Sequence, residues 1–268
     1  MKTSSISISL ASFILSANAL VRSSWSVTNV PSTGLTDVTF PLTIVEADHF
    51  SGYFLAQQFS FVNSGMGYTG LQPRPDANGK TILHAAFLSF IAGSNTTDKN
   101  CFDGADGGPG VSCNVEWNGV YGRRYDLEVK SNGSSVWVGT VIDTVTGARI
   151  HIGSYTLPAS AGGIQSSHVG FVEWFFWNIE VPENHCALLP YQRTIFGTPH
   201  TTHPLSSGFQ STSVEYGDCV GKVAFHTQKV LGGAENNCGF KGMTGWDEHA
   251  SFNWWRKMVQ FVPALRGI

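Results

Sequence analysis

The sequence has 268 residues, of which 42% are hydrophobic and 13% charged, and a formal net charge of −3 at pH 7. With 16 Lys and Arg residues and no basic run, it is not typical of proteins that bind nucleic acid by neutralising phosphates. High apolar content with a small net charge excludes intrinsic disorder, and 30 glycines among so few charges exclude a coiled coil. These features favour a folded, all-β protein.

The first 19 residues have the layout of a secretory signal peptide. A positive charge at Lys2 precedes an apolar stretch from Ile6 to Leu15 and a small-x-small site, which predicts cleavage after Ala19. No later stretch reaches the ~18 apolar residues needed to span a bilayer, so the mature chain is predicted to be extracellular without a membrane span. Asn95 and Asn132 begin N-glycosylation acceptor tripeptides, which agrees with secretion.

Five cysteines follow the predicted cleavage site, and none of them forms a C-x-x-C pair. In an oxidising compartment this pattern favours disulfides over a metal site. Cys101–Cys113 would close a glycine-rich loop, and Cys219–Cys238 would close a later one. Cys186 is then either an unpaired thiol or the partner of Cys219 or Cys238.

A series of alternating apolar and polar segments, separated by Gly and Asn turns, occupies the middle of the chain. The predicted strands cover residues 38–48, 52–62, 80–91, 111–117, 125–129, 135–143, 149–157 and 168–181. Regular spacing of short strands predicts a jelly-roll β-sandwich.

The end of the chain is less regular. Residues 198–212 are rich in Thr, Ser, Pro and Gly and are predicted to form a long loop or boundary. Val220–Leu231 is predicted to be a strand, and 252–262 a closing strand or a short helix. We therefore expect one sandwich domain over residues 20–198, with residues 199–268 as an extension packed on it.

Two glutamates are the candidate catalytic residues. Glu173 lies in an apolar, aromatic segment, where burial would raise the pKa of its carboxyl group and suit a general acid. Glu116 lies on the polar face of its predicted strand, and the two could form the carboxyl pair of a glycosidase, which needs a separation of roughly 5–10 Å. The alternative is that Glu173 pairs with Arg123, Arg124 or Arg149 and that Glu116 is an ordinary exposed residue.

Several aromatic and polar residues are candidates for binding a sugar, because aromatic rings stack on the apolar edges of sugars. At least half of the tryptophans are expected to pack in the core instead. Trp174 and Trp177 have opposite parity on one strand, so one of them can face the core and the other a groove. The candidate ligand-binding residues are Trp117, Trp174, Trp177, Tyr68, Gln72 and His168.

Asp103 and Asp106 lie in the glycine-rich loop between the first two cysteines. Closely spaced aspartates are suited to Ca²⁺, which is the one cofactor that the sequence suggests. The loop lacks the EF-hand pattern, and the alternative is a turn in which Asp is favoured for its backbone hydrogen bonding.

Residues 52–190 resemble a family of secreted microbial proteins of unknown function. The resemblance rests on 67–72 (GYTGLQ), 125–129 (YDLEV), 137–143 (WVGTVID), 172–175 (VEWF) and the glycine-rich interior of 101–113. That family looks like the concanavalin A-like lectin and glucanase jelly roll. The resemblance implies this fold, and it implies no catalytic residues, because the glucanase pattern Glu-x-Asp-x-x-Glu is absent.

Three functions remain open at this point. The first is a secreted, lectin-like protein that binds an extracellular polysaccharide or glycoconjugate. The second is a glycoside hydrolase or lyase that uses Glu173 and Glu116. The third is a secreted effector or toxin-like protein that binds a protein partner, which would require a large exposed apolar patch.

Overall fold

The computed structural model describes residues 19–175 and 186–242, which form two antiparallel β-sheets packed face to face. The prediction of an all-β sandwich is therefore confirmed. The strands are, in chain order, β1 (Ala19–Val27), β2 (Asp37–Ala47), β3 (Tyr53–Ser60), β4 (Met66–Ala77), β5 (Lys80–Ser89), β6 (Cys101–Ala105), β7 (Gly108–Asn118), β8 (Tyr125–Ser131), β9 (Val136–Asp143), β10 (Arg149–Thr156), β11 (Ser167–Trp174), β12 (Gln192–Gly197), β13 (Gly208–Gln210), β14 (Val214–Glu215), β15 (His226–Val230) and β16 (Gly233–Cys238).

The first sheet has the strand order β13-β1-β11-β3-β4-β5-β7-β6, and β14 pairs with β1 at its edge. The second sheet has the order β10-β9-β8-β2-β12-β16-β15. The chain crosses between the sheets several times, as expected of a jelly-roll-like sandwich.

The main core lies between the two sheets and is rich in aromatic rings. Phe59 packs between Phe40 and Phe87, and the centroid of its ring lies 6.2 and 6.4 Å from theirs. Phe87 in turn stacks on Tyr155, with the two ring centroids 4.4 Å apart. These residues are essentially fully buried, so the inward face of each strand is the apolar half of the alternating pattern.

Most of the predicted strands coincide with observed ones. The strands that the alternating pattern did not predict are β1, β4, β6, β12, β13, β14 and β16. Within the predicted strand Val220–Leu231, only His226–Val230 is extended in β15. The described part of the predicted extension supplies β13 and β14 to the first sheet and β15 and β16 to the second.

Several sequence predictions lie outside the described residues. These are the signal peptide up to residue 18, the end of the 168–181 strand with Trp177, and the segment 252–262. Among the described residues, no helix is long and apolar enough to cross a membrane.

The structure forms two disulfides, Cys101–Cys113 and Cys186–Cys219. The first was predicted, whereas the predicted Cys219–Cys238 bond is wrong. Cys238 is instead a buried free thiol at the end of β16, where Gln192 Nε2 lies 3.3 Å from its Sγ. Cys186 is therefore the partner of Cys219, which was one of the open alternatives.

Thiol labelling should find one reactive cysteine, and only after unfolding. Burial raises the pKa of Cys238 to about 11, so its thiol is both inaccessible and protonated in the folded chain. Mass spectrometry of peptides from the unreduced protein is expected to find Cys186 linked to Cys219, with label on Cys238 alone. A Cys219–Cys238 peptide would contradict this assignment.

Candidate functional site

The face of the first sheet that points away from the core carries a row of polar side chains across four strands. Glu173 on β11 pairs with Phe54 on β3. Extending the β3–β4 register by one residue beyond Leu55 and Leu71 places Gln72 on β4 beside Phe54. Gln72 pairs with His84 on β5, which pairs with Glu116 on β7. We call Glu173, Gln72, His84 and Glu116 the polar row.

A second row of small residues runs beside the polar row. Ala56 pairs with Gly70, and Gly70 pairs with Ala86. Larger side chains border these three residues on both sides, because Phe54, Gln72 and His84 lie one register step away in one direction and Gln58, Tyr68 and Leu88 in the other. Alternate residues of a strand share a face, so the small row forms a shallow trough across three strands, and the floor of this trough is buried.

An apolar cluster on this outer face is separate from the main core. Its buried members are Phe54, Ala56, Ala86, Leu88, Ala105 and Phe171, with Tyr68, Phe90 and Phe175 half-buried against them. The ring of Tyr68 contacts those of Phe54, Phe90 and Phe171, with centroids 5.2, 4.9 and 5.9 Å away. One end of the trough is therefore aromatic.

Glu173 is buried at the aromatic end, with 8% of its surface exposed. Burial raises the pKa of Tyr68 well above its usual range, and the nearby negative charges of Asp106 and Glu173 raise it further. The Tyr68 hydroxyl donates a 2.6 Å hydrogen bond to Asp106 Oδ2. Glu173, Tyr68 and Asp106 thus form one interacting group.

The other end of the polar row is an ion-pair network. Arg74 Nε donates to Glu116 Oε1 at 3.1 Å, and His84 Nδ1 lies 3.3 Å from the same oxygen. The His84 contact, with the charge of Arg74, lowers the pKa of Glu116 to about 2. Burial and the charge of Arg74 lower the pKa of His84 to about 4, so its ring is neutral at pH 7.

The proposed carboxyl pair does not have the spacing of a glycosidase. Glu116 and Glu173 lie on the same face, but β3, β4 and β5 separate their strands. Four strand spacings of about 4.8 Å place their backbones roughly 19 Å apart. Paired catalytic carboxyl groups lie within about 10 Å of each other, so these two do not act together.

The three arginines considered as partners of Glu173 pair with other carboxylates. Arg123 binds Asp143, Arg124 binds Asp126 and Arg149 binds Glu128. All six residues lie on or beside β8, β9 and β10 in the second sheet. The interactions of Glu173 are therefore not with these arginines.

The predicted sugar-binding tryptophans that the structure describes face the core. Trp174 is fully buried, with its ring centroid 4.8 Å from that of Tyr53. Trp117 is partly buried against the core and packs on Tyr125 at 5.6 Å. Neither indole is presented on the outer face, since the odd-numbered residues of β7 and the even-numbered residues of β11 point inward.

The remaining predicted ligand residues divide between the two faces. Tyr68 and Gln72 lie on the outer face, as described above. His168 pairs with Trp25 on the inward face and is half-buried there, and its Nδ1 has no hydrogen-bond partner among the residues that the structure describes. His168 therefore does not join the outer-face site.

The predicted Ca²⁺ ligands do not converge. Asp103 is exposed and pairs through its backbone with Val111, while the Asp106 carboxylate bonds to Tyr68. Within residues 19–175 and 186–242, no group of three or more His, Cys, Asp or Glu side chains is arranged to hold a metal ion. Asp106 instead belongs to the group around Glu173.

The sequence analysis missed His84 and Arg74 as site residues. A readable signal existed in the strand that begins at Lys80, where Ile82, His84, Ala86 and Leu88 share one face. A single His on an otherwise apolar outward face indicates a polar contact there. For Arg74 there was no such signal, because the register of β4 became known only from the structure.

No family model matches the chain, and no curated protein matches its sequence. Among solved structures, it is similar to scytalido-glutamic peptidase with a transition state analog inhibitor, at 9% identity and a TM-score of 0.43, over 83% of this chain and 98% of that one. It is also similar to SCP-B, a member of the Eqolisin family of peptidases in a complex with a tripeptide, at 10% identity and a TM-score of 0.40, with the same coverage of each chain. At identities this low, neither likeness assigns an activity to this chain.

Proposed function

We propose that this chain is a secreted protein that binds an extracellular polysaccharide or glycoconjugate on the outer face of its first sheet. The observation that carries the proposal is the trough of Ala56, Gly70 and Ala86, bordered by polar side chains on one side and by Tyr68 on the other. A trough across three strands is roughly 10 Å long, which suits an extended polymer better than a compact ligand.

The chemistry of the trough fits a neutral sugar chain. Gln72 offers an amide with both donors and an acceptor, neutral His84 adds a ring nitrogen, and Glu116 accepts hydrogen bonds. The charges of Arg74 and Glu116 offset each other in their ion pair. The half-buried ring of Tyr68 supplies an apolar surface for the C–H edge of a sugar.

Secretion is part of this proposal. Disulfides persist in oxidising compartments, and the chain forms two of them. Asn95 and Asn132, which begin the two glycosylation acceptor sites, are both exposed. The signal peptide and N-glycosylation at these asparagines stay predictions, which the mass and the first residue of the secreted protein would test.

Replacing Gln72 with Ala should weaken binding to polysaccharide. The loss of one or two hydrogen bonds of about 1 kcal/mol each corresponds to a decrease in affinity of roughly five- to thirtyfold. The measurement is co-sedimentation with insoluble cellulose, chitin and β-1,3-glucan. The control is Gln228→Ala, which changes an exposed Gln on β15 of the other sheet and should bind like the wild type. The proposal fails if the wild type binds none of these polymers and no soluble glycan.

A second function is favoured by the burial of Glu173 beside an aromatic cluster. Glu173 and Gln72 lie two strands apart on the same face, so their backbones are separated by roughly 10 Å. Both side chains are long enough to approach one substrate from two sides. Glu173 would then act as general acid and base on an attacking water, and the Gln72 amide would donate to the oxygen that gains negative charge. This arrangement suits hydrolysis of a polymer bound in the trough.

If the chain hydrolyses its ligand, Glu173→Gln should lower kcat about 10²- to 10⁴-fold and leave binding nearly intact. The assays are release of reducing sugar from the three polysaccharides and release of soluble peptide from a denatured protein. Glu46→Gln is the matched control, because this residue lies on β2 of the other sheet. Absence of hydrolysis by the wild type in both assays would exclude the second function and leave binding unaffected.

A further inference from the structure

The hairpin of β6 and β7 folds back over the outer face of the first sheet. The Cys101–Cys113 disulfide joins its two strands. Ala105, near the tip, is 2% exposed and belongs to the same cluster as Ala86 and Leu88 of β5. Asp106, the next residue, bonds to Tyr68, which lies on β4 beyond β5. The tip therefore crosses above β5 and ends at the aromatic end of the trough.

The tip is rich in glycine and stands on a base that a disulfide fixes. Gly104, Gly107 and Gly110 have φ angles of +101°, +78° and +134°, and the ladder between the two strands shifts register between Asp103 and Ala105. No atom of the described residues lies within 4 Å of a Cβ placed at Gly107, whereas a Cβ at Gly110 would lie 1.9 Å from the Ser89 carbonyl oxygen of β5, so the tip is open at its turn and packed at its base. The disulfide pairs Cys101 with Cys113 directly across the ladder, which confines any motion to the residues between them.

Among the described residues, the packing of Ala105 in the apolar cluster and two side-chain hydrogen bonds hold the tip. The Ser112 hydroxyl donates to the Gly104 carbonyl at 2.8 Å within the hairpin, and Tyr68–Asp106 is the side-chain hydrogen bond between this tip and the face below. Asp106 is exposed as a residue, although burial of its carboxyl group raises the pKa of that group. Segments with few buried contacts and solvent-accessible hydrogen bonds open at low free energy.

We propose that residues 103–110 are a lid over the Tyr68 and Glu173 end of the trough, and that the Tyr68–Asp106 hydrogen bond is its latch. The inference rests on the proposed function, because the lid covers the trough in which the polymer would lie. Opening removes Asp106 from Tyr68 and uncovers the aromatic rings. A hydroxyl group of the ligand then takes the place of Asp106 as partner of the Tyr68 hydroxyl.

Hydrogen exchange measured by mass spectrometry tests the latch without any ligand. In Asp106→Ala, the amides of residues 103–110 should exchange at least tenfold faster than in the wild type, while the rest of the first sheet is unchanged. Tyr68→Phe removes the same hydrogen bond without placing an Ala at Asp106, whose φ is +46°, and should show the same increase. Asp103→Ala is the control for the loss of a carboxylate, since it removes an exposed one from the same hairpin. Exchange in Asp106→Ala equal to that in the wild type would overturn the proposal.

A second measurement asks whether opening uncovers the aromatic end of the trough. The dye 1-anilinonaphthalene-8-sulfonate should bind Asp106→Ala with several times the fluorescence that it shows with the wild type and Asp103→Ala. Faster exchange without greater dye binding would mean that the tip covers nothing and would also overturn the lid. If both measurements agree with the lid but no polysaccharide binds the wild type, the proposed function fails and the lid stands. If polysaccharide binds but exchange is unaltered, the lid alone fails.

Discussion

Replacing Trp174 with Ala should lower the free energy of unfolding by about 3–5 kcal/mol, because it removes a fully buried indole and leaves a cavity. The ring packs edge-on against Tyr53 and Phe50, with centroids 4.8 and 6.1 Å away. A Cβ at Gly52 would lie 2.3 Å from the ring, which shows how closely the backbone approaches it. Thermal or urea denaturation measures the loss.

A second substitution of Trp174 distinguishes a role in the core from a role in sugar binding. Trp174→Phe keeps an aromatic ring in the core, so the folded variant should bind polysaccharide with the affinity of the wild type while losing about 1–3 kcal/mol of stability. Phe102→Ala serves as the control for stability, because Phe102 is 38% exposed and its loss should cost less than about 1 kcal/mol. A Trp174→Phe variant with full stability and no binding would place the indole at the ligand instead.

The sandwich could be predicted from the sequence because alternation is a local signal. Strands such as β2 and β8 show one apolar face and one polar face, as expected of a two-layer fold. β4 escaped prediction because Gly67, Gly70 and Pro73 are poor strand formers. Gly70 is required there nevertheless, since a Cβ would lie 2.3 Å from the Leu55 carbonyl oxygen on the neighbouring strand. A close approach between strands is a tertiary property that one segment does not reveal.

The sequence predicted several residues of the candidate site correctly, but it did not predict which of them are neighbours. Tyr68, Gln72, Glu116 and Glu173 do share one face, but the sequence paired Glu173 with the wrong carboxylate. Parity along each strand tells which face a residue occupies, whereas the order of strands decides which residues are neighbours. Asp106 shows the same limit, because its hydrogen bond with Tyr68 arises only when the hairpin is folded.

Acid should destabilise the fold through His84. The pKa of His84 falls from 6.5 to about 4 in the folded chain, because burial and the charge of Arg74 disfavour the imidazolium form. The unfolded state therefore binds more protons between these two values. The contribution of neutral His84 to stability is fully present above about pH 6.5 and is lost as the pH falls towards 4.

This loss should reach about 2 kcal/mol at pH 5 and about 3 kcal/mol at pH 4, since one pKa unit corresponds to about 1.4 kcal/mol. Glu116 acts in the same direction at lower pH, because its pKa falls from 4.5 to about 2 and the stability from its ion pairs is lost across that range. Its carboxylate is half-exposed, so solvent screening makes this second effect smaller.

Urea denaturation at pH 7, 6, 5 and 4 measures how the free energy of unfolding depends on pH. His84→Gln removes the titrating ring, so its stability should fall less than that of the wild type between pH 7 and 5, and the two curves should converge as the pH falls. His226→Gln, at an exposed position on β15, should follow the wild-type curve. Parallel curves for the wild type and His84→Gln would show that folding does not lower the pKa of His84. His84 would then keep its ordinary pKa of 6.5 and become a cation only as the pH falls below that value, where an anionic sugar chain would be the better ligand.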